Sequence, residues 1–129
     1  MKTLGIDYGK SKFGLSIGVV TFAEPLKVIK YQDIQKLQAE IKEIIEEEKI
    51  DKVVVGVSER EMAKESKDFS INLSKNINIP VETFDETLTS NDAQKMSMAA
   101  GVPQKRRHAM EDAYAATIML QNYLDSIKP

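Results

Sequence analysis

The sequence predicts an α/β fold: a mixed five-stranded sheet with helices on both faces, in the order βββαβαβαα. Three observations predict it. Apolar residues in Thr3–Gly18 keep a period of two on both sides of a turn-like break. Val53, Val54, Val55 and Val57 form a continuous β-branched run around Gly56, the mark of a strand buried on both faces. In Gln32–Lys49 the apolar spacing changes to three and four, the signature of an amphipathic helix.

The first segment reads as a β-hairpin. Leu4, Ile6 and Tyr8 lie on one arm, Phe13, Leu15 and Ile17 on the other, and Gly9–Lys12 has turn composition. Val19–Ala23 is a short turn, and Pro25–Tyr31 is a third strand, antiparallel to its neighbour because the link is short. Asp33 caps the helix of Gln32–Lys49, whose inner face is Ile34, Leu37, Ile41, Ile44 and Ile45. The acids Glu46, Glu47 and Glu48 at its end form a solvated face. Asp51–Ser58 is the central parallel strand, reached by a right-handed crossover. Met62–Asn76 is a helix facing inward through Phe69 and Leu73, and Pro80–Phe84 is a short strand. Leu88–Ala100 is helical, stopped by Gly101–Val102–Pro103. Gln104–His108 is a basic turn. Met110–Ile127 is the closing helix, apolar through Ala113, Ala116, Leu120, Leu124 and Ile127, and small enough in its first half to lie close to a sheet.

A chain of 129 residues is expected to form one domain, spanning residues 1–129, with a substantial core. It has no cysteine, which excludes disulfides and thiolate–zinc sites and fits a reducing compartment. No apolar run approaches the roughly 18 residues of a membrane span, and the first residues enter a strand directly, so a cytoplasmic protein is expected. The net charge of −2 disfavours a broad nucleic-acid surface but leaves room for a local basic patch.

Ligands of α/β folds collect outside the carboxyl ends of the parallel strands. Asp7 ends the first strand, flanked by Gly5 and Gly9, which permit close approach. Asp85 and Glu86 follow the last strand, Glu59 follows the Val-rich strand, and Asp112 falls in the first turn of the closing helix. Carboxylates brought together repel unless a cation holds them, and Mg²⁺ or Mn²⁺ prefers oxygen ligands. Such a site activates water and stabilises a phosphodiester in flight. The plainer account makes Asp112 a first-turn acid in the helix dipole, and Asp85 and Glu86 loop residues.

The stretches GIDYGKSKFGLSIG, VVVG at Val53–Gly56, PVETFDETLTS at Pro80–Ser90 and EDAYAATIMLQNYL at Glu111–Leu124 resemble the YqgF family of RNase-H-like nucleases, also called RuvX or Holliday junction resolvases. The likeness covers essentially the whole chain. It implies an RNase-H-like fold. It also implies a metal site of Asp7, Glu86 and Asp112 with Asp85 beside it, and Mg²⁺ or Mn²⁺ as cofactor. The implied reaction is phosphodiester hydrolysis, either maturation of precursor 16S rRNA or cleavage of Holliday junctions. Structured RNA or branched DNA would be the partner, in association with the ribosome precursor in the first case and as a homodimer in the second.

Three departures stand out. The family arginine of the first loop is Lys12, the arginine after the D-E pair is Thr87, and the glycine-rich segment after Gly56 reads Val57–Ser58–Glu59–Arg60–Glu61. Lys12 keeps the charge but loses the planar fork. Arg60 is the available substitute for the arginine absent at Thr87. Lys105, Arg106 and Arg107, with Lys10 and Lys12, are candidates for phosphate contact, and Thr89 for a hydroxyl contact or a helix cap. His108 follows the basic run and reads as a loop residue. The methionines read as helix packing.

Two other readings compete. One is a catalytically weak or inactive nucleic-acid-binding member of the same fold, supported by Thr87. The other is a sugar-kinase or actin-like phosphotransfer domain, which shares the opening D-x-G hairpin. The chain is short for that two-domain clamp and shows no second glycine-rich phosphate loop.

Overall fold

The computed structural model describes residues 1–9, 12–57, 63–85 and 104–127, with backbone alone for 63 and 104–109. Five strands and three helices occupy this range: β1 (Lys2–Tyr8), β2 (Lys12–Val19), β3 (Phe22–Lys30), α1 (Ile34–Glu48), β4 (Lys52–Val57), α2 (Ala63–Asn76), β5 (Val81–Asp85) and α3 (Gln104–Ser126). The sheet order is β3-β2-β1-β4-β5. β1–β2 and β2–β3 are antiparallel, and β4 runs parallel to both β1 and β5. This is the mixed sheet that the apolar periods predict, in the RNase-H-like order that the resemblance implies. The expected helix at Leu88–Ala100 lies outside the described residues.

Each boundary has a local cause. The Asp33 carboxylate accepts from the Gln35 backbone N–H at 2.9 Å and starts α1. Lys49, left-handed at φ 55°, returns its N–H to the Ile45 carbonyl and ends it. Pro25, which cannot donate to a ladder, sits on the edge strand β3 beside the register shift between Leu15 and Ser16.

The two faces of the sheet pack differently. One carries Leu4, Ile6, Phe13, Leu15, Val53 and Val55 against Leu37, Ile41, Phe69 and Leu73 of α1 and α2. The other is lined by Gly5, Gly14, Ser16 and Gly18 and covered by α3. A β-carbon on Gly14 would stand 2.9 Å from the Ala113 nitrogen and closer still to the Asp112 carbonyl. On Gly18 it would meet Leu124 at 2.9 Å. The missing side chains let α3 lie almost on the β2 backbone. Eight helix residues, Asp112 to Leu120, rise about 12 Å. Four strand residues, Gly14 to Gly18, rise about 13 Å, so helix and strand stay in step.

The Ser16 hydroxyl donates to the buried Ala116 carbonyl at 3.0 Å. Gln121 clamps the β2–β3 turn: it accepts from Ala23 N–H at 2.9 Å and donates to the Thr21 carbonyl at 2.8 Å. Ile127, expected on the apolar face, is instead 55% exposed, because it lies beyond the last residue of α3.

α3 begins earlier than its apolar pattern. The basic run is its first turn, not a loop, so Asp112 sits in the third turn and no acid occupies the first. Lys, Arg and Gln are good helix formers and extend a helix past its apolar face. The dipole account of Asp112 therefore does not apply, since the effect fades within one turn.

Candidate active site

Asp7 is the second-last residue of β1, with Gly14 of β2 on one side and Gly56 of β4 on the other. Strand alternation puts its side chain on the same face as Gly5, under α3. Both lateral neighbours lack a side chain, and the space over Gly14 is taken by the α3 backbone at Asp112. Asp112 rests directly over Gly14, the cross-strand partner of Asp7. The hairpin register and the glycine contact thus bring Asp7 and the backbone of Asp112 to one end of one face.

Gly5 admits the close approach of Leu120, and Gly9 closes the hairpin turn against the Lys12 carbonyl. The glycines that flank Asp7 are Gly14, which α3 covers, and Gly56. Pairing the hairpin through its turn, Tyr8 with Phe13, identifies Gly14 as the partner of Asp7 from the sequence.

Burial pushes the Asp112 carboxyl above the ordinary carboxylate range, Lys12 opposes the rise, and Glu111 adds to it. Lys12 is exposed at the start of β2 and within electrostatic reach of Asp112 without forming an ion pair. A hard cation fits this arrangement: two oxygen donors, a half-buried negative charge that is incompletely balanced, and glycine on both sides of Asp7. Among the described residues no three His, Cys, Asp or Glu side chains form a metal-holding group.

Asp85 pairs with Val57 at the end of β5. Val53 and Val55 belong to the α1–α2 core and pair with Val81 and Thr83, so alternation turns Asp85 toward that side, away from Asp7. Glu82 and Phe84 face α3 instead, where both meet Tyr123. Glu59, Arg60, Glu86 and Thr89 lie outside the described residues. Lys105, Arg106 and Arg107 are on the helical backbone five to seven residues before Asp112, an overhang of about 8–10 Å beyond Gly14 along α3.

Tyr8, beside Asp7 in sequence, points to the opposite face. Its ring lies 4.7 Å from Phe13 and 5.6 Å from Phe69. Burial, then Tyr31, Glu65 and Asp68, push its hydroxyl up to about 12, which makes it a wall of the core and no proton donor near neutrality. The Tyr31 hydroxyl donates to the Gly9 carbonyl at 3.2 Å and steadies the turn after Asp7. Met119 and Tyr123 are buried against β4.

Residues 1–126 match the family model described as "RuvX: Holliday junction resolvase". A protein of Natranaerobius thermophilus named "Putative pre-16S rRNA nuclease" is 32% identical over 97% of this chain and 94% of its own. One of the same name from Agathobacter rectalis is 30% identical over 97% and 95%. Among solved structures, Thermus thermophilus RuvC in complex with a Holliday junction substrate superposes with a TM-score of 0.61 at 16% identity, over 98% of this chain and 96% of that one. The fowlpox virus resolvase in complex with Holliday junction DNA gives 0.66 at 13%, over the full length of both. At such identities these structures speak for the fold alone. No described helix is long and apolar enough to cross a membrane. With the family model matched across nearly the whole chain, over a sheet of the expected order, the chain belongs to the RuvX family of RNase-H-like nucleases.

Proposed function

We infer that the protein is a divalent-metal nuclease that hydrolyses phosphodiester bonds in structured nucleic acid. The observation that carries this reading is the placement of Asp7 on the glycine-lined face at the carboxyl end of β1, with the Asp112 backbone seated over its cross-strand partner Gly14. Asp7 and Asp112 would hold Mg²⁺ or Mn²⁺. Glu86 is the third ligand in this proposal, and the turn of Asp85 toward the α1–α2 core favours Glu86 of the adjacent pair. The ion supplies charge stabilisation at phosphorus and a more acidic water.

The chain's own residues do the rest. Gly14 lets α3 bring the Asp112 backbone onto the sheet beside Asp7, and Gly56 keeps the other flank of Asp7 free of a side chain. Asp112, seated over Gly14, would share in holding the ion and so in activating the attacking water. Lys12 and the basic turn of α3 meet backbone phosphates. The relatives' printed names make precursor 16S rRNA the first substrate to try, and the family description makes the four-way DNA junction the second.

The test is cleavage of an end-labelled precursor rRNA fragment and a four-way junction, with and without Mg²⁺ or Mn²⁺, by wild type and Asp7→Asn. Metal-dependent cutting that falls at least a hundredfold in the variant is expected, and the substrate cut separates RNA maturation from junction resolution. Binding without cutting would replace the nuclease by the inactive binding member to which Thr87 points.

A further inference from the structure

Among the described residues five lysines lie on strands: Lys2, Lys12, Lys27, Lys30 and Lys52. Three are answered by a glutamate. Lys2 meets Glu48 at 3.3 Å, Lys27 meets Glu40 at 3.2 Å and Lys52 meets Glu82 at 3.2 Å. Among the described residues Lys12 and Lys30 form no ion pair, and they are direct cross-strand partners at the end of β2 and β3. Both are exposed. Their neighbours Phe13 and Ile29 point into the α1–α2 core, so alternation turns both lysines to the face of Asp7 and Asp112. Like charges directly opposite on a sheet repel, with Cβ atoms about 5 Å apart. The fold keeps this repulsion one same-face step, about 6.7 Å along β2, beyond Gly14 and the acids.

We propose that Lys12 and Lys30 form a phosphate seat that leads a nucleic-acid strand over the open β3 edge to the acid pair, with Lys30 a substrate-binding residue of this protein. The proposal rests on the nuclease reading and adds the direction of approach. An anion between the two ammonium groups turns their repulsion into attraction, and a phosphodiester chain supplies such an anion at every nucleotide. On the β4–β5 side of Asp7 the described neighbour on this face is Phe84, and Lys52, at the far end of β4, is already paired, so the free positive charge of the described sheet lies on the β3 side.

The experiment measures binding of a hairpin RNA and a four-way DNA junction across a series of salt concentrations, in an Asp7→Asn background that prevents cleavage. The added variants are Lys30→Gln, Lys30→Arg, Lys12→Gln with Lys30→Gln, and Lys42→Gln, which removes the same charge from an exposed position of α1. Losing one phosphate contact should lower the slope of log K against log salt by about 0.9 on a duplex and about 0.7 on a single strand. Lys30→Gln should show that loss and the double variant about twice it, while Lys30→Arg and Lys42→Gln keep the parent slope. The probe that registers the loss identifies the backbone, RNA or DNA, that sits there. A parent slope in Lys30→Gln, or an equal loss in Lys42→Gln, would overturn the seat and leave the nuclease reading standing. Binding to neither probe by the parent protein would overturn both.

Discussion

Two carboxylates occupy opposite ends of the same interface between α3 and the sheet, and the protein treats them in opposite ways. At the amino end of β5, Glu82 receives the Tyr123 hydroxyl and lies 3.2 Å from Lys52, whose ammonium also donates to Tyr123 at 2.6 Å. The hydroxyl first, and then the ammonium, hold Glu82 below its ordinary range. At the carboxyl end of β1, burial raises Asp112, and Lys12 only moderates the rise. One end of the helix closes its charges into a brace. The other keeps a charge at an energetic disadvantage, and perturbed acids of this kind concentrate at functional sites.

The comparison can be broken most severely through the glycines. Gly14→Ala drives a methyl group into the Asp112 backbone, and backbone cannot swing aside, so a loss of about 3 kcal/mol or more is expected. Gly18→Ala meets side-chain carbons of Leu124 and Leu120, which can rotate, and should cost closer to 1 kcal/mol. Thermal unfolding of the two variants checks this, and equal losses would mean that α3 is not seated more tightly at Asp112 than at Leu124.

Next in size is Tyr123→Phe. It removes the hydroxyl shared by Lys52 and Glu82 while keeping the ring against Phe84, at an expected cost of about 1 kcal/mol. An unchanged urea midpoint would show that the brace contributes nothing. Asp112→Asn should move the other way. Without divalent metal it relieves a half-buried charge, so a rise in Tm corresponding to about 1 kcal/mol or less is expected as activity is lost. A fall in Tm would count against the unbalanced state of this acid.

The smallest effect is in the pH dependence. Glu82 titrates below its ordinary 4.5 in the folded state, so its contribution is present above that value and fades as pH falls through the folded value. Glu82→Gln should therefore flatten the acid limb of the stability profile below about pH 4.5, by a fraction of a kcal/mol since the side chain is half exposed. The same acid slope in variant and wild type would remove Glu82 from the account.

The fold was legible because its strands and helices carry distinct apolar periods, and the Val-rich run announced the buried parallel strand. Asp7 was legible as an acid within a glycine-rich hairpin. The rest depended on register. Asp85 and Glu86 are adjacent in sequence, and only the pairing of β5 with β4 says which face Asp85 takes. The start of α3 was missed because a charged run has no apolar rhythm, although its residues favour helix. Lys30 was missed because nothing local marks it. Its meaning comes from Lys12, which lies eighteen positions earlier and directly across the hairpin.

The hydrogen bond from Ser16 to Ala116 spans 100 positions of the chain, as does that from Gln121 to Thr21. Strands made early at the ribosome are thus covered by a helix made about a hundred positions later. Until that helix has emerged, the hairpin presents a bare glycine surface, and Asp7 has no Asp112 beside it. Long-range closure of this sort slows folding, because the loop entropy is lost before the contacts form. It also means that a nascent chain acquires its acid pair in one late step, after the sheet beneath it has been synthesised.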